Sequence, residues 1–253
     1  MVNVVEEMTE KFLIDAGIKK GMHVLDVGCG RGDVSLLLAN MVGAEGSVLG
    51  LDFDENSLAF ARKRVQDKSI TNVTFIQDNL SELSNVNGEF DAIIGRRVLM
   101  YISDPKKVIA DLSTFLKVGG LMMFQEHDST MSPGSLVPMP LHEQVNKWIW
   151  DTVEHEGGNI HIGFDLWNLL AQKELSVETV RAEAVVQTPD MPYPIVPIVQ
   201  AILHRIIEAR VATEDELDIN TLEYRLTKER EESNSTYIKE MVFFACARKT
   251  SKN

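Results

Sequence analysis

The chain has 253 residues, of which 44% are hydrophobic and 25% charged, and this is enough apolar material for one large α/β domain. Its 38 acidic residues exceed its 25 basic ones, and the resulting net charge of −13 repels phosphate backbones and argues against a nucleic-acid substrate. Two cysteines support neither a disulfide framework nor a metal cluster, and the lack of a targeting signal in residues 1–10 or of a membrane-spanning apolar run predicts a cytoplasmic protein.

The first predicted strand leads directly into a glycine-rich turn. Residues 23–27 are mostly apolar and β-branched, and a predicted helix follows at 33–41. Three glycines lie between the two elements: Gly28, Gly30 and Gly32. Glycine adopts positive φ and carries no Cβ, so the backbone N–H groups of this turn can approach a ligand at the start of the helix. The spacing is G-x-G-x-G, not the G-x-G-x-x-G of a dinucleotide site, and the flanking Asp26 and Asp33 suit a ligand with an ammonium and a sulfonium better than a phosphate.

Two further predicted strands end at acidic residues. The strand at 47–52 ends in Asp52, which lies twenty residues after Gly32, where a βαβ unit places a ribose-binding carboxylate. The strand at 73–77 is followed directly by Asp78. Ligands of open α/β sheets bind outside the carboxyl ends of the strands, so we expect both acids to lie at the edge that holds the glycine turn.

In these motifs the sequence resembles the class I S-adenosylmethionine-dependent methyltransferases of small-molecule type, similar to those of quinone and secondary-metabolite biosynthesis, over about residues 12–127. The resemblance implies S-adenosylmethionine as cofactor and S-adenosylhomocysteine as product. It assigns Asp52 to the ribose, Asp78 to the adenine amino group and the bulky Phe53 to the adenine ring. The expected cofactor-binding residues are Asp26, Gly28, Gly30, Gly32, Asp52, Phe53, Asp78, Asn79, Leu80 and Arg96.

The rest of the chain completes the predicted fold. Four further strands are expected, at 90–95, 119–125, 176–188 and 237–248. Four helices are expected in the second half, at 141–155, 165–173, 198–211 and 214–232. The fold class is therefore α/β: a Rossmann-like, seven-stranded, mostly parallel sheet with helices on both faces, whose last strand is antiparallel and whose helical insertion serves as a lid.

We expect one methyltransferase domain over residues 1–253, with a cofactor-binding core at 18–128. Two substrate-side insertions are expected, at 129–162 and 189–236. The proline-rich stretch 129–140 is predicted to form neither helix nor strand. The long connection at 189–236 suggests a lid, although the apolar stripe of its first helix fits core packing or a dimer face equally well.

Candidate catalytic residues follow the fifth predicted strand. Methyl transfer from a sulfonium mainly requires alignment and exclusion of water, and an acceptor that carries a proton can also need a base. His127 is the best-placed base, because its ordinary pKa lies near 6.5. The alternatives are that His127 only hydrogen-bonds its loop or the substrate, or that another histidine reaches the pocket. The expected substrate-binding residues are Tyr101, Gln125, Glu126, Trp148 and His161. No metal is expected, because the side chains of residues 126–128 alternate between opposite faces of a strand.

The sequence thus predicts an enzyme that transfers a methyl group from S-adenosylmethionine to a small-molecule acceptor. Oxygen is the first choice of acceptor atom because His127 offers a base. Nitrogen or carbon methylation and a non-catalytic S-adenosylmethionine-binding module are the alternatives, and a homodimer is left open. A dehydrogenase is disfavoured because Asp33 replaces the third glycine of a dinucleotide turn. A nucleic-acid methyltransferase is disfavoured by the charge and by the sequence at 95–99.

Overall fold

The computed structural model describes residues 4–131 and 133–250. Its strands are β1 (His23–Val27), β2 (Ser47–Asp52), β3 (Val73–Gln77), β4 (Phe90–Arg96), β5 (Leu116–Asp128), β6 (Gly134–Ser135), β7 (Leu175–Gln187) and β8 (Tyr237–Lys249). Its α-helices are α1 (Val4–Ala16), α2 (Asp33–Val42), α3 (Glu55–Asp67), α4 (Pro105–Thr114), α5 (Pro140–His155), α6 (Ile162–Leu170), α7 (Ile195–Glu208), α8 (Glu214–Leu217) and α9 (Ile219–Ser233). A 3₁₀ turn spans Leu99–Tyr101. The first three residues of the acidic start, Ser132 within the proline-rich stretch, and 251–253 lie outside the described residues.

The chain forms two compact units. The first contains the described residues up to Glu126, the segment Ile162–Arg181, and the described residues from Phe243 onwards. The second contains the described residues of His127–His161 together with Ala182–Val242. The division falls within β5, β7 and β8, so each of these strands contributes residues to both units.

The sheet is mostly parallel. Its first five strands run parallel in the order β3–β2–β1–β4–β5, and the order continues through β8 to β6, with β7 paired to β8 off this path. The central strands are almost entirely buried, as expected for parallel strands covered on both faces. At the carboxyl edge, Val27 of β1 lies level with Leu51 of β2 and Gly95 of β4. This register brings the ends of three strands and the loops that follow them to one edge.

Local capping determines where several helices begin. Asp54 precedes α3 and accepts a hydrogen bond from the N–H of Ser57 at 3.0 Å. Asp104 does the same for α4 by accepting from the N–H of Lys107 at 3.0 Å, and Pro105 occupies the first helical turn. Aspartate before the first turn satisfies backbone donors that have no partner within the helix.

The observed sheet confirms the predicted fold class and corrects its details. An eighth, two-residue strand, β6, lies in the stretch predicted to form neither helix nor strand. Its residues fall between prolines and keep their backbone donors, so Gly134 can pair antiparallel with Ile238 of β8. The fifth strand begins at Leu116, three residues before its predicted start, and a register shift between Phe90 and Ala92 of β4 accommodates its two glycines.

The structure also corrects the predicted helices. No helix was predicted at α1, although its buried positions follow helical spacing. The expected helix at 214–232 is two helices, because Asp218 has φ 36° and this left-handed backbone ends α8. The helices α6 and α7 each begin and end three residues earlier than predicted.

The helices of the second unit share an apolar core. Val199 and Ile206 of α7 pack in one buried cluster with Val145 and Trp148 of α5 and with Leu222 of α9. The apolar stripe that was expected on α7 is therefore core surface of this unit. Among the described residues, no helix combines the length and the apolarity needed to cross a membrane.

Candidate functional site

The glycine turn after β1 has the backbone that its sequence predicts. Gly28, Gly30 and Gly32 have φ values of 63°, 51° and 81°, where side chains are strained. A Cβ at Gly28 would lie 2.6 Å from Cγ2 of Val98, whereas a Cβ at Gly30 would meet no described atom within 4 Å. The turn is thus tightly packed at Gly28 and open at Gly30, which is where a ligand can approach the backbone.

Asp52 lies directly beside this opening. Its Oδ2 accepts a hydrogen bond from the N–H of Gly30 at 2.7 Å, and its Oδ1 accepts from the N–H of Asp54 at 3.0 Å. A carboxylate has about four acceptor positions, so two remain for hydroxyl donors of a ligand. The structure therefore brings the predicted turn and the predicted ribose-binding acid together.

Asp26 lies at the base of the turn and is buried. Its Oδ2 accepts a hydrogen bond from Ser35 Oγ at 2.5 Å. Burial raises the pKa of this carboxyl to about 7, against the opposing effects of the Ser35 bond and the Arg96 charge. Asp33, by contrast, is half-exposed and forms an ion pair with Arg64 at 2.6 Å. The two acids that flank the turn therefore differ in burial and in access to a ligand.

Arg96, at the end of β4, is partly buried and connects the site to α1. Its Nη1 donates to Thr9 Oγ1 at 3.3 Å. Burial lowers the pKa of its guanidinium, and the nearby Asp26 charge opposes this effect. Thr9 was missed in the sequence. The apolar spacing of its buried neighbours on α1, Val5 and Phe12, is the signal that could have revealed it.

Asp78 organises the loop after β3. Its carboxylate accepts hydrogen bonds from the N–H groups of Asn79 at 2.9 Å, Ser84 at 3.0 Å and Asn85 at 2.7 Å. Burial would raise the pKa of Asp78, but these hydrogen bonds outweigh it and hold the pKa below its ordinary value. Leu80 of the same loop is buried. The expected adenine contact of Asp78 stays a prediction, beside this observed role in the loop.

Phe53, in contrast to the buried Asp52 and Asp78, is exposed to solvent. Its side chain is 77% exposed immediately after β2, and its carbonyl oxygen accepts a hydrogen bond from Gln77 Nε2 at 2.9 Å. A large apolar ring with this exposure is available to cover a flat ligand, as the sequence predicts for adenine.

At the carboxyl end of β5, Glu126 is fully buried and holds the turn after β4. Its Oε1 accepts from the N–H groups of Val98 at 3.0 Å and Leu99 at 2.8 Å. Burial raises the pKa of Glu126 to about 7 in spite of these bonds. Within the described residues, neither Glu126 Oε2 nor either polar atom of the buried Gln125 amide has a hydrogen-bond partner. Tyr101 ends the 3₁₀ turn and is half-exposed.

His127 belongs to the second unit and lies beside Glu240 of β8. Its Nδ1 lies 2.9 Å from Oε1 of Glu240, and the same oxygen lies 2.8 Å from Nζ of Lys239. Burial alone would raise the pKa of Glu240, but the charges of Lys239 and His127 outweigh it and lower the pKa well below its ordinary value. Lys239 and Glu240 were missed in the sequence, where a charged pair inside a predicted buried strand is the signal.

The two other predicted site residues of the second unit have different surroundings. Trp148 is buried in the apolar cluster of α5, α7 and α9. His161 is exposed, and its Nδ1 lies 2.8 Å from Oγ1 of Thr130. Their contacts with a substrate stay predictions.

Comparison with known proteins decides the family. Residues 18–180, well over half of the chain, match the family model described as "Methyltransferase domain". The chain belongs to this methyltransferase family. The match confirms the resemblance to class I small-molecule methyltransferases that the glycine turn and the strand-end acids predicted.

Individual relatives share about a third of their residues or fewer with the chain over the matched segments. The chain is 35% identical to the demethylmenaquinone methyltransferase of Listeria welshimeri over 117 residues, which are 46% of this chain and 50% of that protein. It is 28% identical over 188 residues to the ubiquinone/menaquinone biosynthesis C-methyltransferase UbiE of Yersinia enterocolitica, covering 74% of this chain and 68% of that one. The chain thus spans about half the length of the first of these relatives.

A solved structure shows the same fold. Coclaurine N-methyltransferase bound to N-methylheliamine and S-adenosylhomocysteine superposes with a TM-score of 0.63 at 14% identity, over 96% of this chain and 72% of that one.

Proposed function

We propose that the protein transfers a methyl group from S-adenosylmethionine to a small-molecule acceptor that carries an ionisable hydroxyl group on a ring. The main observation in favour of this cofactor is the position of the Asp52 carboxylate. It accepts a hydrogen bond from the N–H of Gly30 and keeps acceptor positions for ribose hydroxyls. Membership of the methyltransferase family supports the same conclusion.

The residues present fit this cofactor. The backbone at Gly30 is open, and Asp52 is oriented beside the opening by two backbone donors. Phe53 presents an exposed ring at the next position, where it would cover the adenine. When bound, S-adenosylmethionine supplies a methyl group that is already activated by its sulfonium, so the protein has to align the acceptor and exclude water.

His127 is the proposed general base. An Nδ1–H that donates to Glu240 fixes the imidazole tautomer and leaves Nε2 as the nitrogen that takes a proton. In the proposed reaction, Nε2 of His127 would take the proton of the acceptor hydroxyl, and bound S-adenosylmethionine would supply the methyl group and leave as S-adenosylhomocysteine. The nearby Glu240 carboxylate stabilises the imidazolium that forms.

Removal of the hydroxyl proton can lead to methylation at either of two acceptor atoms. Deprotonating a ring hydroxyl raises electron density both on its oxygen and on the adjacent ring carbons. Oxygen is the choice that the sequence predicts, and the name of the Yersinia C-methyltransferase supports carbon. A hydroquinone-type acceptor meets both conditions and is the class that we propose.

The test begins with isothermal titration of the protein with S-adenosylhomocysteine, with NAD as a parallel control. Micromolar binding of the first ligand and none of the second supports the proposal, and the reverse result would overturn it. Anaerobic incubation with S-adenosylmethionine and 1,4-dihydroxynaphthalene then tests transfer. A methylated product supports the acceptor class, and its NMR spectrum distinguishes a ring-carbon from an oxygen methyl group.

A further inference from the structure

One face of α5 carries polar side chains inside the second unit. His142, Asn146 and Trp150 follow one another at intervals of four residues, which places them on the same side of the helix. All three side chains are buried. Buried polar side chains on one helix face normally find partners, so their contacts indicate what this face is for.

This face lies against the first residues of β8. Asn146 Nδ2 donates to the carbonyl oxygen of Lys239 at 2.8 Å. The His142 ring lies against the Tyr237 ring with their centroids 5.3 Å apart. Tyr237 is 1% exposed and precedes Lys239 by two residues, so both contacts fall on the same stretch of strand.

The histidine of this face is fully engaged. Its Nδ1 lies 2.7 Å from Oε2 of Glu229, and its Nε2 lies 2.9 Å from Nε2 of Gln187. Burial lowers the pKa of His142, against the effect of Glu229. With Nδ1–H donating to Glu229, Nε2 accepts a hydrogen bond from the Gln187 amide. His142 thus serves to hold α5, β7 and α9 together.

Three other polar atoms are not engaged. Within the part of the chain that the structure describes, no hydrogen-bond partner lies near Asn146 Oδ1, Trp150 Nε1 or Tyr237 Oη. A phenylalanine at 237 would fill the same space without burying a hydroxyl. The buried hydroxyl therefore lowers the free energy of unfolding, and the packing of the folded protein does not explain why it is there. The three atoms comprise two hydrogen-bond donors and one acceptor.

We propose that this polar cluster, made of Asn146, Trp150 and Tyr237, binds the oxygen atoms of the methyl acceptor. The Tyr237 hydroxyl and the Trp150 indole N–H donate to ligand oxygens, and the Asn146 carbonyl accepts from a ligand hydroxyl. The inference rests on the proposed function and deepens it by assigning residues that recognise the acceptor.

The surroundings of the cluster restrict the acceptor class. Glu143, Glu229 and Glu240 are close enough to Tyr237 to oppose its ionisation, and with burial, the largest cause, they raise its pKa. One nearby cation, Lys239, is already paired with Glu240. Anionic acceptors such as phosphates or carboxylates are disfavoured beside these carboxylates. A neutral, flat ring that carries at least two oxygens, one of them a hydroxyl, matches the two donors and the acceptor.

The test compares Tyr237→Phe with Tyr224→Phe, which removes a hydroxyl from a tyrosine that is 70% exposed in the same unit. Titration with 1,4-dihydroxynaphthalene is carried out anaerobically, with and without saturating S-adenosylhomocysteine. We expect Tyr237→Phe to weaken binding of this probe on the order of fivefold to tenfold, which is the effect of one lost hydrogen bond. The affinity for S-adenosylhomocysteine should be unchanged, and Tyr224→Phe should match the wild type in both titrations.

Thermal unfolding without ligands provides a second measurement. If the Tyr237 hydroxyl binds the acceptor, Tyr237→Phe should melt at or above the wild-type temperature. Lower stability without ligands would give the hydroxyl an internal role and overturn the inference. Equal probe affinity in Tyr237→Phe and wild type, or failure of the wild type to bind the probe while it binds S-adenosylhomocysteine, would also overturn it. If S-adenosylhomocysteine does not bind but Tyr237→Phe still weakens the probe, the proposed function fails and the acceptor cluster stands.

Discussion

The Asp52 carboxylate accepts hydrogen bonds from the N–H groups of Gly30 and Asp54, and two of its acceptor positions remain. We predict that Asp52→Ala weakens S-adenosylhomocysteine binding by about 1.5–3 kcal/mol, the range for hydrogen bonds to a charged group. Isothermal titration measures the change. Asp67→Ala, which removes an exposed carboxylate from the end of α3, is the control and should bind as the wild type does. Equal affinities for both variants would refute the ribose assignment.

His127 is expected to affect turnover without affecting the cofactor. We predict that His127→Gln lowers kcat by about 10²–10⁴-fold, the range for loss of a general base, and leaves S-adenosylhomocysteine affinity nearly unchanged. His155→Gln changes an exposed histidine of the same unit and serves as the matched control. An unaffected rate across the pH range would mean that the His127–Glu240 pair is structural only.

Gly28 shows how closely the turn is packed. A Cβ here would combine a φ of 63° with a 2.6 Å approach to Val98 Cγ2. We predict that Gly28→Ala lowers the free energy of unfolding by about 2–4 kcal/mol, the sum of backbone strain and overpacking. Urea denaturation measures it. Gly17→Ala has positive φ but no described atom within 4 Å, so it reports the backbone strain alone and should cost less.

At the scale of elements, Glu126 is the contact that joins β5 to the turn after β4. Its folded-state pKa of about 7 lies above the ordinary value of 4.5. Between these values the folded protein retains a proton that the unfolded chain has released, so the stabilising contribution is complete below pH 4.5 and decreases as the pH rises to about 7.

Glu126→Gln removes this titration and keeps an acceptor for the N–H groups of Val98 and Leu99. We predict that, from pH 4.5 to pH 8, the variant gains about 3 kcal/mol in free energy of unfolding relative to the wild type, at 1.36 kcal/mol per pKa unit. Denaturant unfolding at several pH values measures the difference. Glu45→Gln, at an exposed position, should show little relative change. A flat difference for Glu126→Gln would mean that folding does not raise the pKa of this carboxyl.

For the whole molecule, charge is the property with the widest consequence. With 38 acidic residues against 25 basic ones, the net charge of −13 opposes the approach of any polyanion. We predict no gel retardation of duplex DNA or RNA by micromolar protein in 100 mM salt, because too few phosphates can be neutralised. A lysozyme lane, strongly basic, provides the positive control, and a retarded band with this protein would contradict the prediction.

Much of the proposed cofactor site could be predicted from the sequence because its signals are local. The glycine turn, the strand ends at Asp52 and Asp78, and the bounds of β2 and β3 all follow from short runs of residues whose conformations depend on their neighbours. Where the local signal is weaker, the predicted bounds differ from the observed ones: β5 begins at Leu116, three residues before its predicted start, and the break at Asp218 was not predicted.

By itself, the sequence determined the family, the fold class and the place of the glycine turn. Only the tertiary structure decided which polar groups are buried and which partners they have. Examples are the His127–Glu240 pair, the Thr9–Arg96 contact and the Tyr237 hydroxyl, which has no hydrogen-bond partner among the described residues. The physical reason is that these contacts join segments far apart in the chain. Their pairing, desolvation and pKa shifts come from the packing of whole elements, which no local pattern of residues encodes.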